Sequence, residues 1–163
     1  LERQLEELHA ASYGWALGCC AFDRAEAEDV LQAAYVKVLE GQARFDGASS
    51  FKTWLFAVIR RTAGERRRRG WRRALAFDRW FTRRAAAAPA ADPEQAACGA
   101  ETAHRLRQAL RELSARQREI VHLVFYQDLS LEEAARVAGI SAGSARTHYH
   151  RAKARLRLLL ELP

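Results

Sequence analysis

Apolar positions recur at helical spacing along most of the chain, and nowhere do they alternate with polar ones for long enough to make a strand. Between Glu2 and Cys20 they fall at Leu5, Leu8, Ala11, Trp15 and Leu17, and between Ala25 and Leu39 at Val30, Leu31, Ala34, Tyr35, Val38 and Leu39. Each stripe predicts an amphipathic helix with that face turned inward. Phe45-Asp-Gly-Ala-Ser-Ser50 then supplies turn residues, after which Phe51, Trp54, Leu55, Val58 and Ile59 form the apolar face of a third helix. That helix runs into Arg66-Arg-Arg-Arg69, and Trp71, Leu75 and Phe77 to Phe81 suggest a further helix beyond Gly70.

The pattern stops at residues 85–99, which are rich in alanine, contain Pro89 and Pro93, and have no amphipathic period. This stretch reads as a linker. Past it, Arg105 to Leu113 predicts a helix with Leu106, Ala109, Leu110 and Leu113 inward, and Ser114 is placed to cap the next one, whose apolar face is Ile120, Val121, Val124 and Phe125. Ser130 and Glu133 have the spacing of a capping box, so a short helix begins there. It ends at Gly139, where a residue without Cβ can turn the chain through the left-handed region. Ile140 then plugs the core, and Ser141 caps a last helix running to about Leu160. The expected fold is all-α, with two small helical domains over residues 1–84 and 101–163 joined by a flexible linker over residues 85–100.

Composition excludes several classes. The chain is 49% apolar and holds three prolines in 163 residues, far from the make-up of a disordered protein. No apolar run approaches the roughly 18 residues that span a bilayer, and Leu1-Glu2-Arg3 does not open a secretion signal. Cys19, Cys20 and Cys98 do not form an evenly paired disulfide framework. A soluble protein of the reducing cytoplasm, with no membrane insertion, is the expectation.

The net charge of +7 becomes informative when it is divided along the chain. Residues 1–50 carry four Lys/Arg against nine Asp/Glu, residues 51–84 twelve against two, and residues 85–163 eleven against nine. An acidic segment followed by a densely basic one implies two surfaces for different partners, the basic one suited to a polyanion. A solvated basic helix with no ligand is the plainer reading of that segment alone.

A short helix, a glycine turn and a second helix make the helix-turn-helix pattern of DNA readers. Charge favours this over a plain helical hairpin, because the final helix carries Arg146, Arg151, Lys153, Arg155 and Arg157 and no acid from Ala142 to Leu158. Ala142, Gly143 and Ser144 are small enough to approach a phosphate backbone closely. Arg146, Thr147, His150 and Arg151 share one broad face, where an arginine can donate two hydrogen bonds to a guanine edge.

At this point the residues resemble a known family, the small two-domain sigma factors of the extracytoplasmic-function type. Ala27-Glu-Asp-Val-Leu-Gln-Ala-Ala-Tyr-Val-Lys-Val38 is similar to the family's polymerase-binding helix, with Asp29, Gln32 and Tyr35 at its polar and aromatic positions. Phe45, Phe51-Lys-Thr-Trp-Leu55 and the basic tail resemble the segment that melts the minus-ten element. Leu113-Ser-Ala-Arg-Gln-Arg-Glu119, and Leu131-Glu-Glu-Ala-Ala through Arg151-Ala-Lys-Ala-Arg155, resemble the domain that reads the minus-thirty-five element. Order and spacing together carry the likeness, which covers nearly the whole chain.

The resemblance implies promoter-specific initiation with bacterial core RNA polymerase, promoter DNA as ligand, and an anti-sigma factor as a further partner. It implies minus-thirty-five contacts from Ser144, Arg146, Thr147, His150, Arg151 and Lys153. Minus-ten contacts would come from Phe45, Asp46, Ser49, Ser50, Lys52, Arg60, Arg61 and Arg66. Melting needs a place to capture an unstacked base and cations to hold the separated strand, which the Phe45 to Ser50 loop and the basic helix after it offer. Phe51 and Trp54 lie on the apolar stripe and read as core rather than stacking platforms. The chain departs from the family at Ala33, where an acid is usual, at Arg61, where Asn is common, and at Glu65, where Asp is common.

No enzyme activity, cofactor or metal is expected. No nucleophile motif or Gly-rich loop after a strand is present, and His148 and His150 point roughly 200° apart on a helix. Two other readings stay open. One is a helix-turn-helix regulator that binds DNA without recruiting polymerase; the other is an interaction protein that keeps polymerase binding but has lost promoter melting.

Overall fold

In the computed structural model, residues 1–77, 105, 106 and 108–160 are described, with side chains in the first stretch up to residue 68. Among the described residues every regular element is helical. The elements are α1 (Glu2–Glu7), α2 (His9–Cys19), α3 (Arg24–Leu39), α4 (Phe51–Phe77), α5 (Ala115–Phe125), α6 (Leu131–Ala138) and α7 (Ala142–Leu160). The expected linker over residues 85–100 lies outside the described residues, as do positions 78–81 of the further helix expected beyond Gly70.

The chain ends most of these helices with local chemistry. Asp23 accepts the Glu26 N–H at the start of α3. Ser114 and Gln117 cap α5 reciprocally, and Ser130 and Glu133 do the same for α6, so that each pair satisfies two otherwise orphaned donors. Gly139 closes α6 at φ 64°, and the Ser141 hydroxyl accepts the Ser144 N–H at 3.1 Å to open α7. Two boundaries differ from expectation. The stretch from Glu2 to Cys20 is broken at Leu8 into α1 and α2. Conversely, α4 passes through Gly70 without a break to Phe77. A lone glycine costs a helix only about 1 kcal/mol, and the arginines on both sides are good helix formers.

The two halves of the chain are packed together, which the sequence did not foretell. α2 lies against α5, and α4 against α6. One continuous core runs from Leu5 and Trp15, through Val30, Leu31, Leu55, Phe56 and Ile59, to Ile120, Leu123 and Ala134. A smaller cluster of Leu113, Val121 and Ala152 ties α5 to α7. Trp15 anchors the larger core: its ring is fully buried against Phe56, and its Nε1 donates to the Phe56 carbonyl at 3.0 Å. Burial of such a ring contributes on the order of 2 to 3 kcal/mol, and the hydrogen bond removes the cost of an unsatisfied indole donor.

Several inward faces need correction. Leu39 and Phe125, both expected to face the core, are 53% and 56% exposed, whereas Phe56 and Leu123 are fully buried. Leu123 is inward because α5 is covered by α2 on one side and by α6 and α7 on others, and its buried arc follows those neighbours. Phe125 instead stacks on Tyr149 of α7, with centroids 5.9 Å apart.

Candidate nucleic-acid interface

α6, the Gly139 turn and α7 form the helix-turn-helix. Ala145 and Ala152 face inward on α7, which leaves Ser144, Arg146, Thr147, His150 and Arg151 exposed on the opposite side. Thr147 donates to the Gly143 carbonyl at 3.0 Å, so its hydroxyl oxygen still has acceptor capacity outward. Arg146 approaches Glu132 at 3.6 Å, with both side chains more than half exposed. Such a pair steers the guanidinium at little energetic cost to its release. Lys153 differs from the rest: it is half-buried, with its ammonium 5.6 Å from the Tyr149 ring centroid. The structure thus brings five of the six expected residues onto one open face.

The eight minus-ten candidates do not converge in the same way. Phe45 stands at the rim of an aromatic cluster with Phe51 and Trp54, at centroid distances of 5.5 and 5.3 Å. Phe51 and Trp54 are half-buried, at the edge of the core and not inside it. The Asp46 carboxylate accepts the Ala48 N–H at 3.0 Å, and Gly47 takes φ 74°, so the loop is a tight, locally bonded turn. Ser49 donates to the Ser50 carbonyl, and Ser50 caps α4 by accepting the Thr53 N–H at 3.2 Å.

The four cations point in three directions. Lys52 donates to the Gln127 carbonyl at 2.6 Å, and Arg60 pairs with Glu119, so both are directed at the C-terminal half. Arg61 is exposed on the other side of α4. Arg66 pairs with Asp29 at 2.5 Å, across to α3.

On α3, Asp29 and Gln32 are exposed, while Tyr35 is half-buried, with its hydroxyl 3.4 Å from His9 Nδ1. Burial raises the Tyr35 pKa, so the phenol stays protonated. Val36 and Leu39 are 48% and 53% exposed. At about 100° per residue, both fall on the arc between Asp29 and Tyr35. They leave aliphatic surface open beside the exposed Asp29 and Gln32. The sequence reading missed Val36 and counted Leu39 as core. The available signal was that an inward stripe already wide with Val30, Leu31, Ala34 and Val38 left no room for both.

Burial pushes the Cys19 thiol up, with the Glu119 carboxylate adding to it, and raises Cys20 to about 11. Both stay thiols at neutral pH, unsuited to nucleophilic chemistry.

Comparison with known proteins accounts for this arrangement. The Sigma-70 region 2 profile matches residues 5–73, and the profile for Sigma-70, region 4 matches residues 103–156. The extracytoplasmic-function (ECF) RNA polymerase sigma factor SigX of Bacillus subtilis is 31% identical over 144 residues, which is 86% of this chain and 73% of that protein. The RNA polymerase sigma factor CarQ of Myxococcus xanthus is 32% identical over 134 residues, 82% of this chain and 74% of CarQ. This chain belongs to the sigma-70 family, in its extracytoplasmic-function group. As such it is a sigma factor that directs RNA polymerase to promoters.

The resemblance extends to three dimensions. The sigma factor RpoE from Bartonella quintana, solved in complex with the anti-sigma factor NepR, superposes with a TM-score of 0.73 at 27% identity, over 99% of this sigma factor and 96% of that chain. CnrH, solved with the cytosolic domain of CnrY, shares the fold with a TM-score of 0.63 at 22% identity, over 97% of this chain and 86% of CnrH. Among the described residues, no helix of this sigma factor is long and apolar enough to cross a membrane.

Proposed function

We propose that the two halves of this sigma factor divide promoter recognition as follows. Residues 1–84 bind core polymerase and open the minus-ten element, and residues 101–163 read the minus-thirty-five element. The observation that carries the second assignment is the open face of α7, where Ser144, Arg146, Thr147, His150 and Arg151 stand exposed beside a helix-turn-helix turn. A helix N-terminus attracts phosphate, and arginine in a major groove reads guanine in bidentate fashion. Lys153, held over Tyr149, supplies charge at the edge of that face.

The polymerase surface in this reading is the exposed arc of α3. Asp29 and Gln32 give it polar specificity, and Val36 and Leu39 give it apolar area to bury. Tyr35 borders it and fixes its edge through His9. The minus-ten strand is met by the Phe45 to Ser50 loop, with Asp46, Ser49 and Ser50 offering hydrogen-bonding groups and Phe45 an exposed ring. Lys52, Arg60, Arg61 and Arg66 supply cations for the strand's phosphates, and because they point in three directions around α4 they cannot all meet one strand without rearranging.

The protein acts by binding and not by catalysis, and it works in the cytoplasm, where its polymerase is. An anti-sigma factor is its further partner, supported by the partner-bound state of the similar RpoE. The test is reconstituted transcription from a promoter library with core polymerase from a compatible source, core alone being the control. Chain-dependent initiation at discrete sites is expected. DNA binding without initiation would instead indicate a stand-alone regulator.

A further inference from the structure

An acid stands beside the recognition helix, on a surface whose ligand is a polyanion. From Ser130 to Leu160 the helix-turn-helix holds six Lys/Arg and two acids, Glu132 and Glu133. Glu133 is turned back toward the chain: its carboxylate accepts the Ser130 N–H at 3.0 Å and the Thr53 hydroxyl of α4 at 3.1 Å. Glu132 is not. It sits in the first turn of α6 with its side chain 61% exposed, and its Oε1 lies 3.6 Å from Nη2 of Arg146, whose side chain is 58% exposed. Among the described residues Arg146 is the ionic partner of Glu132, and no hydrogen bond ties that carboxylate elsewhere.

An acid at a helix start has a plain use, which is to complement the partial positive charge of the first turn. Glu133 already serves it, since the Ser130 backbone N–H holds its carboxyl below the usual range and keeps it charged. A second exposed carboxylate carries a cost, because it repels the phosphates from which most of the affinity for DNA comes.

We infer that Glu132 is a positioning residue for promoter reading, which keeps Arg146 off the phosphate backbone and leaves it to a base edge. The inference rests on the minus-thirty-five assignment made above. An unaccompanied arginine beside a groove is drawn first to a phosphate, the strongest negative charge within reach. With a carboxylate 3.6 Å away, a phosphate approaching Arg146 meets repulsion as well as attraction. The O6 and N7 atoms of guanine are neutral acceptors and escape that repulsion. The guanidinium is planar, so a carboxylate beside Nη2 also biases its plane while Nε and Nη1 stay free to donate. Both side chains are more than half exposed, and water screens the pair, so Arg146 is steered and not locked. Arg151 makes the contrast: it stands exposed on the same helix with no acid beside it among the described residues, and is left to phosphate.

The test uses holoenzyme formed from the full chain and core polymerase. It is titrated onto a promoter recovered from the library and onto a copy mutated at the minus-thirty-five element, each at several salt concentrations. The variants are Glu132→Gln, Arg146→Ala and the two combined. Gln keeps the length and helix propensity of Glu, so the fold is undisturbed.

In Glu132→Gln the mutated copy should be bound about threefold more tightly, the scale of one exposed charge pair, while the intact promoter gains less. Discrimination therefore falls as affinity rises. The plot of log affinity against log salt should steepen by about 0.9, the slope of one added phosphate contact. In the combined variant neither change should appear beyond that of Arg146→Ala. The same changes without Arg146 would overturn the inference, since the carboxylate would then only repel DNA. So would a joint loss of affinity and discrimination at an unchanged slope, which would place Glu132 itself on a base. If Arg146→Ala costs discrimination and Glu132→Gln alters nothing, the positioning role falls and the reading of α7 stands. If Arg146→Ala binds both sites as the wild type does, both fall for this residue.

Discussion

The rings of Trp15 and His122 lie 5.4 Å apart between centroids, one on α2 and the other on α5, so an aromatic contact closes the seam between the two halves of the chain. Trp15 continues inward onto Phe56 at 5.9 Å, and His122 outward onto Tyr126 at 5.4 Å. The result is a column of four rings from core to surface. Gly14 and Gly18 face this seam from α2, toward Gln127 and His122 respectively. Gln127 braces it, with its amide nitrogen 3.4 Å from the Ala11 carbonyl and 3.4 Å from His122 Nε2.

This position makes the seam sensitive to acid. Burial lowers the His122 pKa from 6.5 to about 4. When the halves separate or unfold, His122 regains its ordinary pKa and binds a proton below pH 6.5, whereas the packed form does so only near pH 4. Stability is therefore complete above about pH 6.5 and falls as pH drops through the window down to about 4, with no further loss from this group below it. Between pH 7.5 and pH 5 the loss should be roughly 1 to 2 kcal/mol. Urea denaturation at the two pH values measures it, and His122→Phe, which keeps the stacking, should abolish the difference. A variant as acid-sensitive as the wild-type chain would move the cause elsewhere.

Gly139 invites a sharper substitution. Its φ of 64° ends α6, and a Cβ there would meet nothing nearer than an Arg60 nitrogen at 4.0 Å. Space is available, so the cost of Gly139→Ala is the left-handed backbone itself, about 1 to 2 kcal/mol, partly offset by a stiffer unfolded chain. Gly139→Asn should lose less, because its short polar side chain tolerates that region. Chemical denaturation of the three proteins should rank them Gly, Asn, Ala. Equal stability of all three would mean that the turn relaxes.

What was legible in the sequence was what local chemistry decides. Ser114, Ser130 and Ser141 announce helix starts because their partners sit three residues away, and Gly139 announces a stop because only its own backbone is at stake. The open face of α7 was legible too, since Ala145, Tyr149, Ala152 and Leu156 share one inward stripe and the cations fall largely off it. The directions of Lys52 and Arg60 were not. Their partners Gln127 and Glu119 lie 75 and 59 residues away, in a half of the chain whose docking no periodicity encodes. Leu39 and Phe125 were misplaced for the same reason. An apolar residue at helical spacing can face a core or a partner, and only the packed neighbours decide which.

The exposed arc of α3 makes a testable interface. Leu39 is 53% exposed, so Leu39→Ser removes mainly open apolar area, and helix content should stay unchanged while stability falls by no more than about 1 kcal/mol. If polymerase docks there, association should weaken by about tenfold or more, the scale of a buried interface anchor. Asp29→Lys should weaken it as well, and also breaks the pair with Arg66. Titrating labelled core polymerase with each variant distinguishes this from a merely structural surface. Undiminished association of both variants would remove α3 from the interface.

Arg146 decides whether α7 reads sequence or only holds backbone. It stands exposed on the open face, and its one ionic neighbour among the described residues, Glu132, is 3.6 Å away and itself exposed. Arg146→Ala should therefore leave folding stability within about 1 kcal/mol of wild type. If the guanidinium reaches a base edge, the variant should lose roughly 1 to 3 kcal/mol of discrimination between a promoter and its copy mutated at the minus-thirty-five element. A phosphate contact predicts something different: equal losses on both sites and a shallower dependence of binding on salt. Measuring both sites at two salt concentrations, with the holoenzyme, separates the two roles in one experiment. Unchanged affinity at both sites would remove Arg146 from the proposed DNA interface.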